Sequence, residues 1–135
     1  MDVRIAVLAD YASVSEGNKL NILGIFRAIM APSEPVVHTQ MQVVAQLEFN
    51  SSETGTKIFK AALVDADGRE IFAISGEAVI PRAPHGGPSL LNHVLNLNNV
   101  IFPRFGDYEF RILLDGVTHC TIPLAVVKTV QPPES

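Results

Sequence analysis

The sequence predicts an all-β fold, an antiparallel β-sandwich of immunoglobulin-like or C2-like type with about eight strands. Three observations predict it. Apolar and polar residues alternate with a period of two through much of the chain, as they do in strands that bury one face. Turn signals built from Gly, Asn and Asp separate these runs. No segment shows a clear helical periodicity.

The chain opens with a long β-hairpin. Apolar segments at Val3–Ala9 and Leu20–Ile29 flank the polar turn Ser15–Lys19. Within this turn Gly17 and Asn18 tolerate the positive φ that a tight hairpin connection requires. The first two strands are therefore expected to be antiparallel neighbours.

The middle of the chain predicts three further strands. Alternate residues of Met41–Phe49 are apolar, which indicates a strand with one buried face. Lys57–Ala66 and Glu70–Ile80 are rich in residues that favour strands. Asp67-Gly68 stands between them and is the strongest short hairpin signal in the chain.

The last third of the chain begins with a loop and continues as strands. Pro81–Pro88 holds three prolines and two glycines, which predicts an irregular loop. Leu90–Phe102 suits either a short helix or a strand, but its asparagines are poor helix formers and favour the strand. Asp107–Leu114 and Val117–Val127 follow as the closing strands, joined by a turn at Asp115-Gly116.

Length and cysteine content indicate one domain without disulfides. We expect residues 1–130 to form a single β-sandwich domain and residues 131–135 a disordered tail. Cys120 is the only cysteine, which excludes an intrachain disulfide and favours a reducing compartment. The N-terminus lacks the pattern of a signal peptide, and no apolar run is long enough for a membrane span. A soluble cytoplasmic protein is expected.

The charge pattern argues against nucleic acid as a partner and suggests a protein. The net charge is −4, and the ten lysines and arginines are scattered without a basic stripe. Charged residues make up 18% of the chain, against about 25% in typical domains. So few charges in a small domain suggest that some surface is covered by another chain. We expect a homo-oligomer, with a dimer favoured, or a complex with another protein.

Several segments resemble a known family. Leu8–Val14 and Gly17–Gly24 are similar to the opening hairpin, of LADYA…GNKLNILG type, in a family of small uncharacterised bacterial β-sandwich proteins, a domain of unknown function. Leu63–Arg69 and Phe102–Ile112 also resemble that family. The resemblance implies a β-sandwich and offers no catalytic residues. Family members often carry a glycine run and a tryptophan after the returning strand, where this chain has Gly24–Phe26 and no Trp.

The histidines and the cysteine do not form a recognisable metal or catalytic motif. The histidines are His38, His85, His93 and His119. None of them pairs at the i,i+2 or i,i+4 spacing of common metal sites. His119 and Cys120 are neighbours in a strand and point to opposite faces. Cys120 is expected to be a packed, inert core thiol. No metal or other cofactor is predicted.

Three alternatives remain at this stage. The histidines, with Asp10 or Glu77, would serve a metal-dependent enzyme or binder. Aspartates gathered at one end of a sandwich would bind calcium as C2-like loops do, although tight turns explain them better; they are Asp10, Asp65, Asp67, Asp107 and Asp115. A polar face would suit a glycan, although a solvated face is the simpler interpretation; it comprises Gln40, Gln42, Gln46 and Glu48.

The favoured hypothesis is a non-enzymatic interaction module that presents a sheet edge or a hairpin to a partner. The candidate contact surface combines the first hairpin with the Pro81–Pro88 loop. Its residues are Gly17, Asn18, Lys19, Gly24 and Phe26 in the hairpin, and His85, Gly86 and Gly87 in the loop.

Overall fold

The computed structural model describes residues 1–83 and 86–130. Within them the chain forms nine strands and one short 3₁₀ turn at Ser51–Glu53. The strands are β1 (Asp2–Ser15), β2 (Lys19–Phe26), β3 (Ala28–Ala31), β4 (Val36–Phe49), β5 (Gly55–Val64), β6 (Glu70–Ile80), β7 (Ser89–Phe102), β8 (Gly106–Leu114) and β9 (Val117–Lys128). The ambiguous segment after the loop is thus a strand.

The strands form two sheets that pack face to face. One sheet has the order β2-β1-β4-β7 and the other has the order β3-β9-β8-β5-β6. In immunoglobulin terms, β1, β4 and β7 take the places of strands A, B and E, and β5, β8 and β9 those of C, F and G. The predicted all-β sandwich is confirmed, and its strand order is of the immunoglobulin type.

One core lies between the sheets. It contains every second residue from Met41 to Phe49 of β4 and from Tyr108 to Leu114 of β8. The period-two pattern of β4 predicts this burial. Aromatic rings join the layers, since Phe102 of β7 meets Tyr108 of β8 edge-on at 5.1 Å between centroids. Edge-on contacts of this kind add to the stabilisation that burial provides.

The predicted returning strand of the first hairpin is divided in two. β2 ends at Phe26, and β3 runs parallel to β9 in the opposite sheet. The chain crosses between the sheets at Arg27, whose carbonyl accepts a hydrogen bond from the backbone N–H of Ala125 at 3.0 Å. The prediction of one strand over Leu20–Ile29 is wrong because apolar residues continue through the crossing and leave no break in the pattern.

Tyr108 forms the corner hydrogen bond typical of Greek-key sandwiches. Its hydroxyl donates to the carbonyl of Arg104 at 2.7 Å and accepts from the N–H of Arg104 at 3.3 Å. Tyr108 stands near the start of β8, the position of the tyrosine corner in immunoglobulin-like domains. The contact holds the connection from β7 to β8 in a fixed shape.

Replacing Tyr108 with phenylalanine is expected to lower the free energy of unfolding by about 1 kcal/mol, because both corner hydrogen bonds are lost. Urea unfolding measures the change. Tyr11→Phe is the matched control, since Tyr11 is 52% exposed whereas Tyr108 is 6% exposed. Equal effects of the two substitutions would contradict the role of the corner.

No helix within residues 1–83 and 86–130 is both long and apolar enough to cross a membrane. The predicted disordered tail at 131–135 lies outside the described residues.

Candidate functional site

The distal part of the first hairpin, Tyr11–Ile22, folds back over the outer face of the four-stranded sheet. We call this segment the arm. Ala12 of the arm is buried in a small second apolar cluster with Ala9 and Val44, and the half-buried members of that cluster are Val7, Leu20, Ile22 and Val94. The arm therefore forms a partial third layer that the sequence pattern does not reveal.

The hairpin is kinked at the base of the arm, and this kink requires a glycine at residue 24. This glycine has φ +74° and lies against Asp10 of the neighbouring strand. A Cβ at residue 24 would stand 2.5 Å from Asp10 Oδ2 and 3.1 Å from Asp10 Cβ. Both the backbone angle and the close approach require glycine. Gly24 is a predicted contact residue, and the structure gives it a role in bending the hairpin.

The tip of the arm is docked on the first residues of β7. Gly17 and Asn18 adopt positive φ of 82° and 58°, as the turn requires. The Asn18 side chain donates to the carbonyl of Leu90 at 3.2 Å, and Asn92 Nδ2 donates to the carbonyl of Asn18 at 3.1 Å. Asn18 thus holds the arm in place.

The predicted contact residues fall into two groups. Gly17, Asn18 and Lys19 at the tip lie by the start of β7, and Gly86 and Gly87 precede that strand in the chain, with Pro88 between. The hairpin turn thus contacts the strand into which the loop leads.

The other predicted contact residues do not join that region. Gly24 lies at the kink, and Phe26 is half-buried against the main core, 5.6 Å from the ring of His38. His85 lies outside the described residues.

The polar face of β4 is occupied by internal hydrogen bonds. The Gln42 carbonyl oxygen accepts a hydrogen bond from the backbone N–H of Ala12, and Gln42 is only 7% exposed. Gln46 donates to Asn92 at 2.9 Å, and Glu48 accepts from Arg4 at 3.0 Å. The expected solvated face is wrong at Gln42 because the arm covers it.

The histidines that the structure describes have different surroundings. His38 packs on Phe26, with its Nε2 atom buried and without a partner. His93 faces the core and packs on Phe59 at 4.1 Å between ring centroids, whereas His119 is exposed on β9. In residues 1–83 and 86–130, no group of three His, Cys, Asp or Glu side chains is placed to hold a metal ion.

Cys120 is half-buried and packs against the main core. Burial raises the pKa of its thiol. A raised pKa lowers the fraction of reactive thiolate, which agrees with an expected structural role for this residue.

We expect His93 to make stability depend on pH. Burial lowers its pKa below the ordinary 6.5, so the unfolded chain binds more protons than the folded chain between the two values. The free energy of unfolding then falls as the pH drops from about 6.5 toward the lowered pKa. Urea unfolding at several pH values tests this.

The neutral variant His93→Gln provides the comparison for that experiment. Its unfolding free energy is expected to change less than that of the unmodified chain between neutral and mildly acid pH. Parallel pH profiles of the two proteins would contradict the assignment.

Two of the five aspartates, Asp65 and Asp115, accept backbone hydrogen bonds at turns. Asp65 accepts hydrogen bonds from the N–H groups of Asp67 at 3.0 Å and Arg69 at 2.8 Å. Asp115 accepts from the N–H of Ile58 at 2.8 Å. Asp65, Asp67 and Asp107 do line one open pocket of about 340 Å³, but Asp10 and Asp115 do not line it. The alternative in which all five gather at one end is wrong.

The free edge of β7, which we call the β7 edge, is long and carries no charged side chain. Among the described residues β7 pairs only with β4. It is fourteen residues long and contains no Asp, Glu, Lys or Arg. Proteins normally protect long edge strands with charges, prolines or bulges. The other edge strands are β2, β3 and β6. β2 begins with Lys19, β3 has only four residues, and β6 carries Glu70 and Glu77.

An apolar groove of about 400 Å³ lies beside the β7 edge, between β7 and β6. Its wall on β6 is formed by Ile71, Phe72 and Ile74, and its wall on β7 includes Leu97 and Ile101. Ile101 is 54% exposed. The sandwich is thus open along this side, with two edge strands facing each other across apolar side chains. Sequence reasoning missed this site; its only signal was the long uncharged run of β7.

Comparison with known proteins bears on the family alone. No curated protein matches the sequence. A family model matches residues 4–127, which include all but the ends of the sandwich. This result confirms the prediction of an uncharacterised family. The chain belongs to DUF6941, a family of unknown function.

Proposed function

We propose that this chain is a non-enzymatic interaction module of the cytoplasm that acts through protein–protein contacts. The observation that carries the proposal is the β7 edge, which is long, uncharged and unpaired among the described residues, with the groove beside it. An exposed strand edge offers a row of backbone donors and acceptors to an added strand.

The groove favours an extended segment with alternating apolar residues. A strand that pairs with β7 lies about 4.8 Å from it. Every second side chain of that strand would then point into the groove, toward Phe72 and Ile74 of β6. The exposed amides of Asn96 and Asn98 would offer donors and acceptors beside its backbone. Strand addition therefore uses both features of this side of the sandwich.

Composition supports a partner. Charged residues are 18% and hydrophobic residues 47% of the chain, so a covered surface is expected on this molecule. The partner is another protein or a further copy of the chain, with a dimer as the favoured assembly. The described histidines, which lie apart on β4, β7 and β9, favour no second candidate.

Selection from a displayed random-peptide library tests the proposal, with the protein immobilised sparsely so that its copies are separated. We expect the selected peptides to alternate apolar and polar residues. Ile74→Lys places a charge in the groove and is expected to abolish their binding.

Val79→Lys is the matched control for this experiment. Val79 lies on β6 but does not line the groove, and it is 66% exposed. Its substitution is expected to leave peptide binding unchanged. The proposal fails if no alternating peptides are selected, or if Ile74→Lys binds them as well as Val79→Lys does.

A further inference from the structure

We infer that the partner of the β7 edge is a second copy of this chain, and that the two β7 strands pair antiparallel about a two-fold axis at Asn96. The two four-stranded sheets would then join into one continuous sheet across the interface. This inference rests on the proposed function, because it names the occupant of the same edge.

Charge is the first argument for a second copy. The molecule carries a net charge of −4, so two copies repel each other overall. β7 has no ionised Asp, Glu, Lys or Arg, so its self-pairing sets no like charges opposite each other. Among the other edge strands, β2 is interrupted by the positive φ of Gly24, β6 carries Glu70 and Glu77, and β3 has only four residues. β7 is therefore the edge best suited to self-pairing.

The regular part of the β7 edge limits the possible registers. At one end the tip of the arm is bonded to Leu90 and Asn92. At the other end Asn99 has φ +53°, and the pairing with β4 is interrupted there. Between them His93–Asn98 forms an unbroken pairing with β4. A two-fold axis perpendicular to this segment passes through Leu95 or Asn96.

Side-chain pairing selects Asn96. With the axis at that residue, Asn96 faces its own copy and Leu95 faces Leu97 of the second copy. An amide carries both donors and an acceptor, so two copies of Asn96 complement each other. The axis at Leu95 would instead place His93 opposite Leu97 and Val94 opposite Asn96. Matched cross-strand pairs stabilise a sheet more than mixed apolar–polar pairs.

The paired strand would also close the groove. Leu95 is half-buried in the isolated chain, and Ile74 is 36% exposed across the groove from β7. Because opposite residues of an antiparallel pair point to the same face, the second copy sets its own Leu95 and Leu97 over the mouth of the groove. Dimerisation thus covers apolar surface that is open in the monomer.

Light scattering coupled to size-exclusion chromatography tests the assembly. The unmodified chain is expected to be a dimer, and Asn96→Lys a monomer, because two lysines would face each other at the axis. Asn21→Lys is the matched control, since Asn21 is an exposed asparagine on β2, the opposite edge of the same sheet. It is expected to remain a dimer.

A cysteine placed at the axis tests the register. In the Cys120→Ser background, Asn96→Cys would bring two thiols together, since facing Cα atoms are about 4.5–5.5 Å apart in an antiparallel pair, within the range of a disulfide. We expect a disulfide-linked dimer after mild oxidation. Cys120→Ser alone is expected to give none.

The inference is overturned if the unmodified chain is a monomer at high concentration, if Asn96→Lys still dimerises, or if Asn96→Cys does not cross-link. These results do not decide the proposed function, which is tested separately by the peptide selection and by Ile74→Lys. A monomer that binds alternating peptides through the groove would retain the function without this partner.

Discussion

Gly24→Ala is expected to lower the free energy of unfolding by about 2–4 kcal/mol. Alanine at φ +74° strains the backbone, and its methyl group would stand 2.5 Å from the carboxylate of Asp10. The kink would have to relax, and the arm would lose its fit on the sheet. Urea unfolding measures the loss of stability.

Two comparisons separate the effect of the positive φ at residue 24 from the effect of its contact with Asp10. Gly68 has φ +84°, but a methyl group at this residue would have nothing within 4 Å of it, so Gly68→Ala is expected to cost about 1–2 kcal/mol through backbone strain alone. Adding Asp10→Ala to Gly24→Ala removes the carboxylate and is expected to recover part of the stability. The role of the contact with Asp10 would be contradicted if Gly24→Ala and Gly68→Ala lowered the free energy of unfolding equally and Asp10→Ala restored none of it.

Gln42→Met is expected to lower the free energy of unfolding by about 1–3 kcal/mol and to loosen the arm. Methionine keeps the length of the side chain but removes the acceptor that Ala12 N–H uses. Ala12 and Gln42 are both buried, so water does not readily replace the lost hydrogen bond. Urea unfolding measures the stability, and hydrogen exchange at Ala12 reports the arm.

Gln40→Met is the control, because Gln40 lies on the same strand and is exposed. It is expected to change neither stability nor the exchange of Ala12. If Gln42→Met leaves the Ala12 amide as protected as before, the arm is held by other contacts. That result would contradict the importance assigned to Gln42.

The period-two pattern is enough to predict the sandwich and most of its strands. It works because the alternate residues of Met41–Phe49 and Tyr108–Leu114 enter one core. The Asp67-Gly68 signal likewise marks the turn between β5 and β6. These features are local, so residue type and spacing determine them.

The features around the candidate site depend on tertiary structure. Alternation cannot show that the hairpin is kinked at Gly24, because the positive φ of this glycine lies inside an apparently ordinary strand. It also cannot show that the chain changes sheets at Arg27, where the apolar residues continue. For the same reason the sequence predicts Gly24 only as a contact residue and does not reveal that it bends the hairpin.

The importance of β7 could not be predicted for a related reason. Its uncharged sequence is visible, but a strand becomes an edge only through the order of its sheet. The same sequence in a central strand would be unremarkable, because central strands have no free backbone groups to protect. The strand order places this run of asparagines and leucines at the edge of the sheet, where its backbone groups are exposed.

Hydrogen exchange of the unmodified chain, followed from micromolar to near-millimolar concentration, tests most directly whether the β7 edge accepts a second strand. Amides in His93–Asn98 are expected to exchange more slowly at the higher concentration, since those that point away from β4 gain partners. Amides in Leu20–Phe26, on the opposite edge, are expected to exchange at an unchanged rate. Self-association that slows exchange elsewhere and leaves β7 unchanged would contradict the assignment of the β7 edge.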